Sequence, residues 1–216
     1  MNNINTLDYW NDRFSSGDWA DKGGFSQTQG FAEAIVQQLP LSPDFSGTLC
    51  DFGCGAGDAI PVLRRAFPKA RLLGVDFSAA AIELATSRYA EMAQFYVGDY
   101  RVLPAVAVIV CSNVLEHLDD DQQVVTQLLQ KCQHLFVAVP YREQPLGHEH
   151  VRRYERQHFA ALKPLSSRIF LARGWSWYGW RLYYQIHLKN LARALLGRPL
   201  HRQQQQIMFT FRGQLP

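Results

Sequence analysis

The chain has 216 residues, 47% hydrophobic and 19% charged, a balance that supports a packed core and excludes a disordered or fibrous polymer. Its apolar runs, such as Val106–Val110, fall far short of the roughly 20 residues that cross a bilayer. The segment Met1–Thr6 lacks the basic and apolar regions of a secretory signal, so the expected location is the cytoplasm.

The net charge of +3 conceals an asymmetry. Residues 1–150 carry 10 Lys/Arg against 18 Asp/Glu, whereas residues 151–216 carry 12 against one acid, Glu155. The basic part is either a solvated face or a surface for an anionic acceptor, an acidic membrane or nucleic acid. Cys50, Cys54, Cys111 and Cys132 show no metal-ligand spacing and read as reduced structural thiols.

In chain order, residues 1–40 form an N-terminal helical cap containing Tyr9–Phe14 and a helix near 28–39. Thr48–Phe52 predicts a buried strand, followed by a glycine-rich turn and a helix near 58–67 that stops at Pro68. Arg71–Val75 predicts a second strand ending at Asp76, with Ser78 capping a helix to about Ala90. Phe95–Val97, Val106–Val110 and Leu135–Val139 predict three more strands, the last two separated by a helix near 119–132. Ile207–Phe211 predicts the final strand, and Gln203–Gln206 a turn leading into it. One domain over 1–216 is expected: the 1–40 cap, a 47–140 cofactor core, a 141–204 acceptor or lid region, and a 205–216 final strand and tail. Alternating strands and helices predict a parallel sheet covered on both faces, with ligands at the carboxyl ends of its strands.

The central motif is Asp51-Phe52-Gly53-Cys54-Gly55-Ala56-Gly57-Asp58. Glycine lets the backbone turn tightly and approach a ligand that a Cβ would repel. A dinucleotide fingerprint starting at Gly53 needs glycine at position 58, where Asp58 stands, and a P-loop lacks its Gly-Lys-Ser/Thr. An acid two residues before the glycines disfavours a pyrophosphate and suits a cofactor with a cationic amino-acid end. Asp76 ends the second strand, where a carboxylate can accept from ribose hydroxyls. Asp99 and Tyr100 follow the third strand, placed to meet an adenine amino group and ring. Ser112-Asn113-Val114-Leu115-Glu116-His117-Leu118 follows the fourth.

This ordered set of motifs, over roughly 47–140, resembles the class I S-adenosylmethionine (SAM)-dependent methyltransferases. The resemblance implies an α/β fold: three layers, Rossmann-like and doubly wound, on a mainly parallel seven-stranded sheet whose last strand is antiparallel. It implies SAM as cofactor and S-adenosylhomocysteine as product. It places Gly53, Cys54 and Gly55 at the methionyl part, Asp76 at the ribose, Asp99 and Tyr100 around the adenine, and Asn113 near the methionyl end. Asp51 and Phe77 join the cofactor-binding set, although Asp51 could instead brace the loop, Phe77 fill the core and Cys54 fill space.

Methyl transfer from a sulfonium is an in-line displacement, so alignment is the main task and a base is needed only for an alcohol or a protonated amine. His117 is the leading base candidate and His150, in Gly147-His148-Glu149-His150, the second; each could equally serve its loop. Two His and a Glu within three positions do not make a convincing first shell, and Asp119–Asp121 suit a helix dipole, so no metal is expected. Tyr9 and Trp10 could cover the cofactor and Arg13 meet its carboxylate, or all three could simply pack.

Gly174–Trp180 and the helix after it are the candidate acceptor region. Tyr184, Leu188, Leu191 and Leu195 share one helical face, and Arg181, Lys189 and Arg193 another. That pattern fits core packing with a wet basic side, or a lid making peripheral membrane contact through 179–196. The preferred acceptor is a small molecule, glycan or lipid, methylated at oxygen. RNA methylation is disfavoured, because no RNA-binding module is visible and no Asn-Pro-Pro-Tyr-type motif follows the fourth strand. A non-catalytic SAM-binding protein stands as the third reading, and a nicotinamide oxidoreductase is more distant.

Overall fold

The computed structural model describes residues 3–172, 180–198, 200 and 204–215, with residues 180–186 as helical backbone. The sheet is built on β1 (Thr48–Phe52), whose last four residues are buried. It pairs in parallel with β2 (Arg71–Asp76) on one side and β4 (Val106–Ser112) on the other. β3 (Gln94–Val97) adds beyond β2, and β5 (Cys132–Pro140) beyond β4, both in parallel. β7 (Gln205–Arg212) runs antiparallel between β5 and the edge strand β6 (Ser166–Leu171), giving the order β3-β2-β1-β4-β5-β7-β6. The expected α/β architecture, seven strands with the last antiparallel, is therefore present. The order reverses between β1 and β4, the position at which open α/β sheets place their ligands.

Strands buried on both faces read as continuous apolar runs, which is how β1, β2, β4 and β5 were legible. β6 was not predicted. It lies at the edge of the sheet, none of its residues is buried, and its sequence shows no clear apolar alternation. β5 begins at Cys132, inside the stretch expected to be helical, because α6 (Asp121–Leu129) is shorter at both ends than predicted.

One core layer packs the β5–β7 region against α6 through Val125, Leu128, Phe136's neighbours Leu135 and Val137, Phe159 and Phe209. The opposite layer joins α3 (Gly24–Val36) and α4 (Ile60–Ala66) through Phe31, Ile35, Ile60 and Leu63. α5 (Ala79–Tyr89) connects β2 to β3, its N-terminus capped by Ser78 as expected. Ahead of the sheet, α1 (Leu7–Ser15) starts at the N-cap Thr6 and is followed by the single turn α2 (Asp18–Asp21). Trp10 and Phe14 of α1 pack on Ala56 of the glycine turn and Ala81 of α5.

The last helix, α7 (Trp180–Leu195), corrects the expectation of core packing: Leu188, Leu191 and Leu195 are 67%, 60% and 81% exposed. Residues 174–179 of the proposed acceptor segment, and the Tyr184 side chain, lie outside the described residues. Among the described residues, no helix is long and apolar enough to cross a membrane.

Candidate active site

The chain leaves β1 through a turn in which Gly53, Gly55 and Gly57 all have positive φ, at 75°, 53° and 77°. A side chain at Gly53 would strike Val114, so this bend is closed to any residue with a Cβ. Gly53 and Cys54 donate their N–H groups to the Val75 carbonyl at 2.7 and 3.1 Å, bending the turn back onto β2. Cys54 is buried and its sulfur sits against Gly74, a space-filling role at the sheet.

Asp76 holds the turn from the next strand. One carboxylate oxygen accepts from Gly55 N–H at 2.8 Å and the other from Ser78 N–H at 2.9 Å. Bracing, which the sequence offered as an alternative for Asp51, is thus performed by Asp76. Ser78 donates its hydroxyl to Asn11 at 2.7 Å, which ties α1 to the same corner. Burial raises both acids, Asp51 to about 7 with help from Asp76 and Asp58, and Asp76 to about 6 against the lowering effect of its two N–H donors. Two buried carboxylates with raised proton affinity are a donor set that suits a positively charged ligand. The turn and its acids fit the amino-acid and sulfonium end of SAM.

Phe77 is half-exposed, so it is not a core residue. Asp99 pairs with Arg101, whose Nε lies 2.9 and 3.0 Å from its two oxygens, and this contact holds the carboxyl below its ordinary range. Asn113 takes a left-handed conformation, φ 54°, immediately after β4. Its amide oxygen accepts from Gln206 Nε2 at 2.8 Å and its amide nitrogen donates to Ser112 Oγ at 2.9 Å. Gln206, buried on β7, was not foreseen; nothing local marks a glutamine 93 residues away as the partner.

The far end of the site joins the turn after β4 to the loop after β5. Val151 donates its N–H to the Glu116 carbonyl at 2.8 Å, bringing His150 beside His117 with ring centroids 5.0 Å apart. His117 Nδ1 lies 3.1 Å from the Glu149 carbonyl oxygen, and Trp10 packs edge-on against the ring at 5.2 Å. Burial, reinforced by His150, pushes His117 down to about 4. His150 Nδ1 lies 2.5 Å from the Glu143 carboxylate; although burial opposes it, that bond and the nearby Glu116 raise its basicity. Glu116 is buried and raised to about 7 by that burial. It was quoted in the motif but not counted as a site residue, since its apolar neighbours gave it no signal.

Glu149 turns away from its histidine neighbours, meeting Arg13 at 2.8 Å and Tyr9 OH at 2.5 Å. Arg13, also 3.4 Å from Asp18, thus ties the N-terminal cap to the loop after β5 at the edge of the cavity. Asp121 does more than face a helix dipole: it binds Arg152, His158 Nε2 at 2.6 Å and Tyr154 OH at 3.0 Å, locking the loop after β5 to α6.

The glycine turn, its acids and the histidine cluster border one cavity of about 1130 Å³. Every residue expected at the site lines it: Asp51, Gly53, Cys54, Gly55, Asp76, Phe77, Asp99, Tyr100 and Asn113, together with His117 and His150. Its volume lies at the upper end of the about 300–1000 Å³ range of small-molecule pockets.

Residues 49–135 match a family described as a methyltransferase domain. A search of curated proteins by sequence gave no match. Among solved structures, the chain is similar to one from the Haloferax volcanii complex between the Trm112 methyltransferase activator and a methyltransferase: TM-score 0.66, 15% identity, covering 95% of this chain and 98% of that one. It is similar to the plantazolicin methyltransferase BpumL in complex with S-adenosylhomocysteine, at TM-score 0.59 and 15% identity, covering 95% and 94%. A third relative in fold is coclaurine N-methyltransferase bound to N-methylheliamine and S-adenosylhomocysteine, at TM-score 0.60 and 10% identity, covering 86% and 72%.

Proposed function

Because the chain is a class I SAM-dependent methyltransferase, we propose that it methylates a hydroxyl group on a small-molecule, glycan or lipid-linked acceptor. The observation that carries this reading is one cavity lined both by the carboxylates and glycines of the turn after β1 and by a histidine–carboxylate cluster. SAM supplies a methyl carbon made electrophilic by its sulfonium. Gly53, Cys54 and Gly55 receive the methionyl part, Asp51 and Asp76 balance its positive charge, and Asp76 grips the ribose. Asp99 and Tyr100 flank the adenine, and Asn113, fixed by Gln206, orients the methionyl end. The acceptor hydroxyl is placed at the Glu116, His117 and His150 cluster, which assists loss of its proton. A carboxylate or phenolate would need no such cluster, and that favours an alcohol.

We assign residues 1–40 as the cap over the cofactor, 47–140 as its core, and 141–204 as the region that meets the acceptor. The exposed leucines of α7, on a helix that also carries Lys189 and Arg193, favour an amphiphilic, anionic acceptor. Four buried thiols, none in a disulfide, support a reducing, cytoplasmic setting. The test is to incubate lysate fractions with methyl-labelled SAM and identify the labelled molecules. An alkali-stable methyl ether on a small molecule, glycan or lipid is expected. Label confined to RNA or to amines would overturn the acceptor reading, and SAM binding without transfer would make the protein a non-catalytic binder.

A further inference from the structure

We propose that Glu116, His117 and His150 hold a divalent transition-metal cation at the acceptor end of the cavity, a site that rests on the reading of that cavity as the methyl-transfer centre. One ligand atom from each of the three lies within 4.8 Å of the others. That spacing is a small side-chain adjustment from the geometry set by metal–ligand bonds of about 2.0–2.2 Å. All three residues line the cavity. The local His148-Glu149-His150 run is not this set, which takes two residues from the turn after β4 and one from the loop after β5.

Glu116 provides the independent sign of a missing partner. It is 1% exposed, and among the described residues neither carboxylate oxygen meets a hydrogen-bonding side chain; only its own backbone and the nearby His150 offset its burial. A buried carboxylate left bare costs several kcal/mol, so such groups are usually paired or bound to metal. The two imidazoles are prepared in the same sense. Each has its Nδ1 engaged, His117 with the Glu149 carbonyl at 3.1 Å and His150 with the Glu143 carboxylate at 2.5 Å. In both rings Nε2 is the nitrogen left to coordinate, and a carboxylate or carbonyl behind the opposite nitrogen is the usual outer support of a metal-bound histidine. Two imidazoles and one carboxylate select zinc, iron(II), manganese(II) or cobalt(II) over magnesium or calcium, which prefer all-oxygen sites.

Three protein ligands leave coordination positions open for the acceptor hydroxyl. Coordination acidifies that hydroxyl, whose proton leaves to solvent. The oxygen then forms a bond to the methyl carbon as the carbon–sulfur bond breaks, and the sulfonium becomes a neutral thioether. No oxidant or reductant is required.

Cobalt(II) is the probe, titrated into the full chain saturated with S-adenosylhomocysteine. The expected result is one equivalent bound, with visible ligand-field bands of a low-coordinate nitrogen and oxygen site. Glu116→Gln and His150→Ala should each weaken binding at least tenfold, and Glu143→Gln, which touches no metal, by about 10- to 100-fold. Absence of the bands in the wild type, or equal affinity in wild type and Glu116→Gln, would overturn the site. Calorimetry with S-adenosylhomocysteine on the same samples separates the two readings. Cofactor binding without cobalt binding removes only the metal, whereas loss of cofactor binding in the wild type removes the cofactor assignment itself.

Discussion

Gly55 donates its backbone N–H to Asp76 at 2.8 Å, so the acid that ends β2 fixes the shape of the glycine turn that follows β1. The same carboxylate lines the cavity and, in the proposed function, accepts from the ribose of SAM. Removing it should therefore act twice. Asp76→Ala is expected to weaken S-adenosylhomocysteine binding by about 1.5–3 kcal/mol for each charge-assisted hydrogen bond lost. It should also lower the melting temperature of the ligand-free protein, since Gly55 and Ser78 lose their acceptor. Titration calorimetry and a thermal melt measure the two effects, and an unchanged affinity would refute the ribose assignment.

Gly53 offers a cleaner test of backbone geometry. Its φ of 75° disfavours any side chain, and a Cβ there would press into Val114. Gly53→Ala should cost about 1–2 kcal/mol for the left-handed conformation and a further 1–3 kcal/mol for overpacking. Adding Val114→Ala should recover the packing part and leave the conformational part, a non-additivity expected of touching residues. Chemical denaturation of the three variants checks it; simple additivity would show that Val114 does not occupy that space.

The parts of this site that were legible in the sequence are those written into single strands. β1 and β2 announce themselves as apolar runs carrying Asp51 and Asp76 at their ends, and glycines at 53, 55 and 57 permit the left-handed turn between β1 and α4. What was not legible depends on distant pairing. Glu116 reads as the middle of a Leu-Glu-His turn, and nothing local shows that Val151, from the loop after β5, will bond to its carbonyl. Gln206 looks like part of a polar run, yet β7 places it on Asn113. The outward face of α7 left two readings open for a related reason: the 3.6-residue apolar stripe is the same whether a helix packs on a core or stands free.

Asp51 and Asp76 make cofactor binding pH-dependent in a definite direction. Both have folded pKa values raised from 3.8, to about 7 and about 6. In the ligand-free protein the stabilisation from their bound protons is complete below the unfolded value and is lost as pH rises through about 6 to 7. A cationic ligand favours the ionised forms and must expel those protons at lower pH. SAM affinity should thus increase between pH 5.5 and 7.5, by up to about tenfold for each group whose pKa falls one unit. S-adenosylhomocysteine, lacking the sulfonium charge, should show a shallower rise. Calorimetry in buffers of different ionisation enthalpy would detect the released protons directly, and identical pH profiles for the two ligands would count against charge pairing at these acids.

The exposed face of α7 leads to a prediction in which stability and binding separate. Leu188, Leu191 and Leu195 are 67%, 60% and 81% exposed, so replacing all three with Gln removes little buried surface. Each substitution should change stability by no more than about 0.5 kcal/mol. If the helix meets an amphiphilic acceptor or an anionic surface, the same triple variant loses the apolar half of that contact while keeping Lys189 and Arg193. Sedimentation with phosphatidylglycerol vesicles should then retain the wild type and release the variant. Increasing salt should weaken the wild type as well, because the basic residues act through a screened field. Equal retention of both proteins would place any membrane contact elsewhere, and a large drop in melting temperature would mean that these leucines are covered in solution.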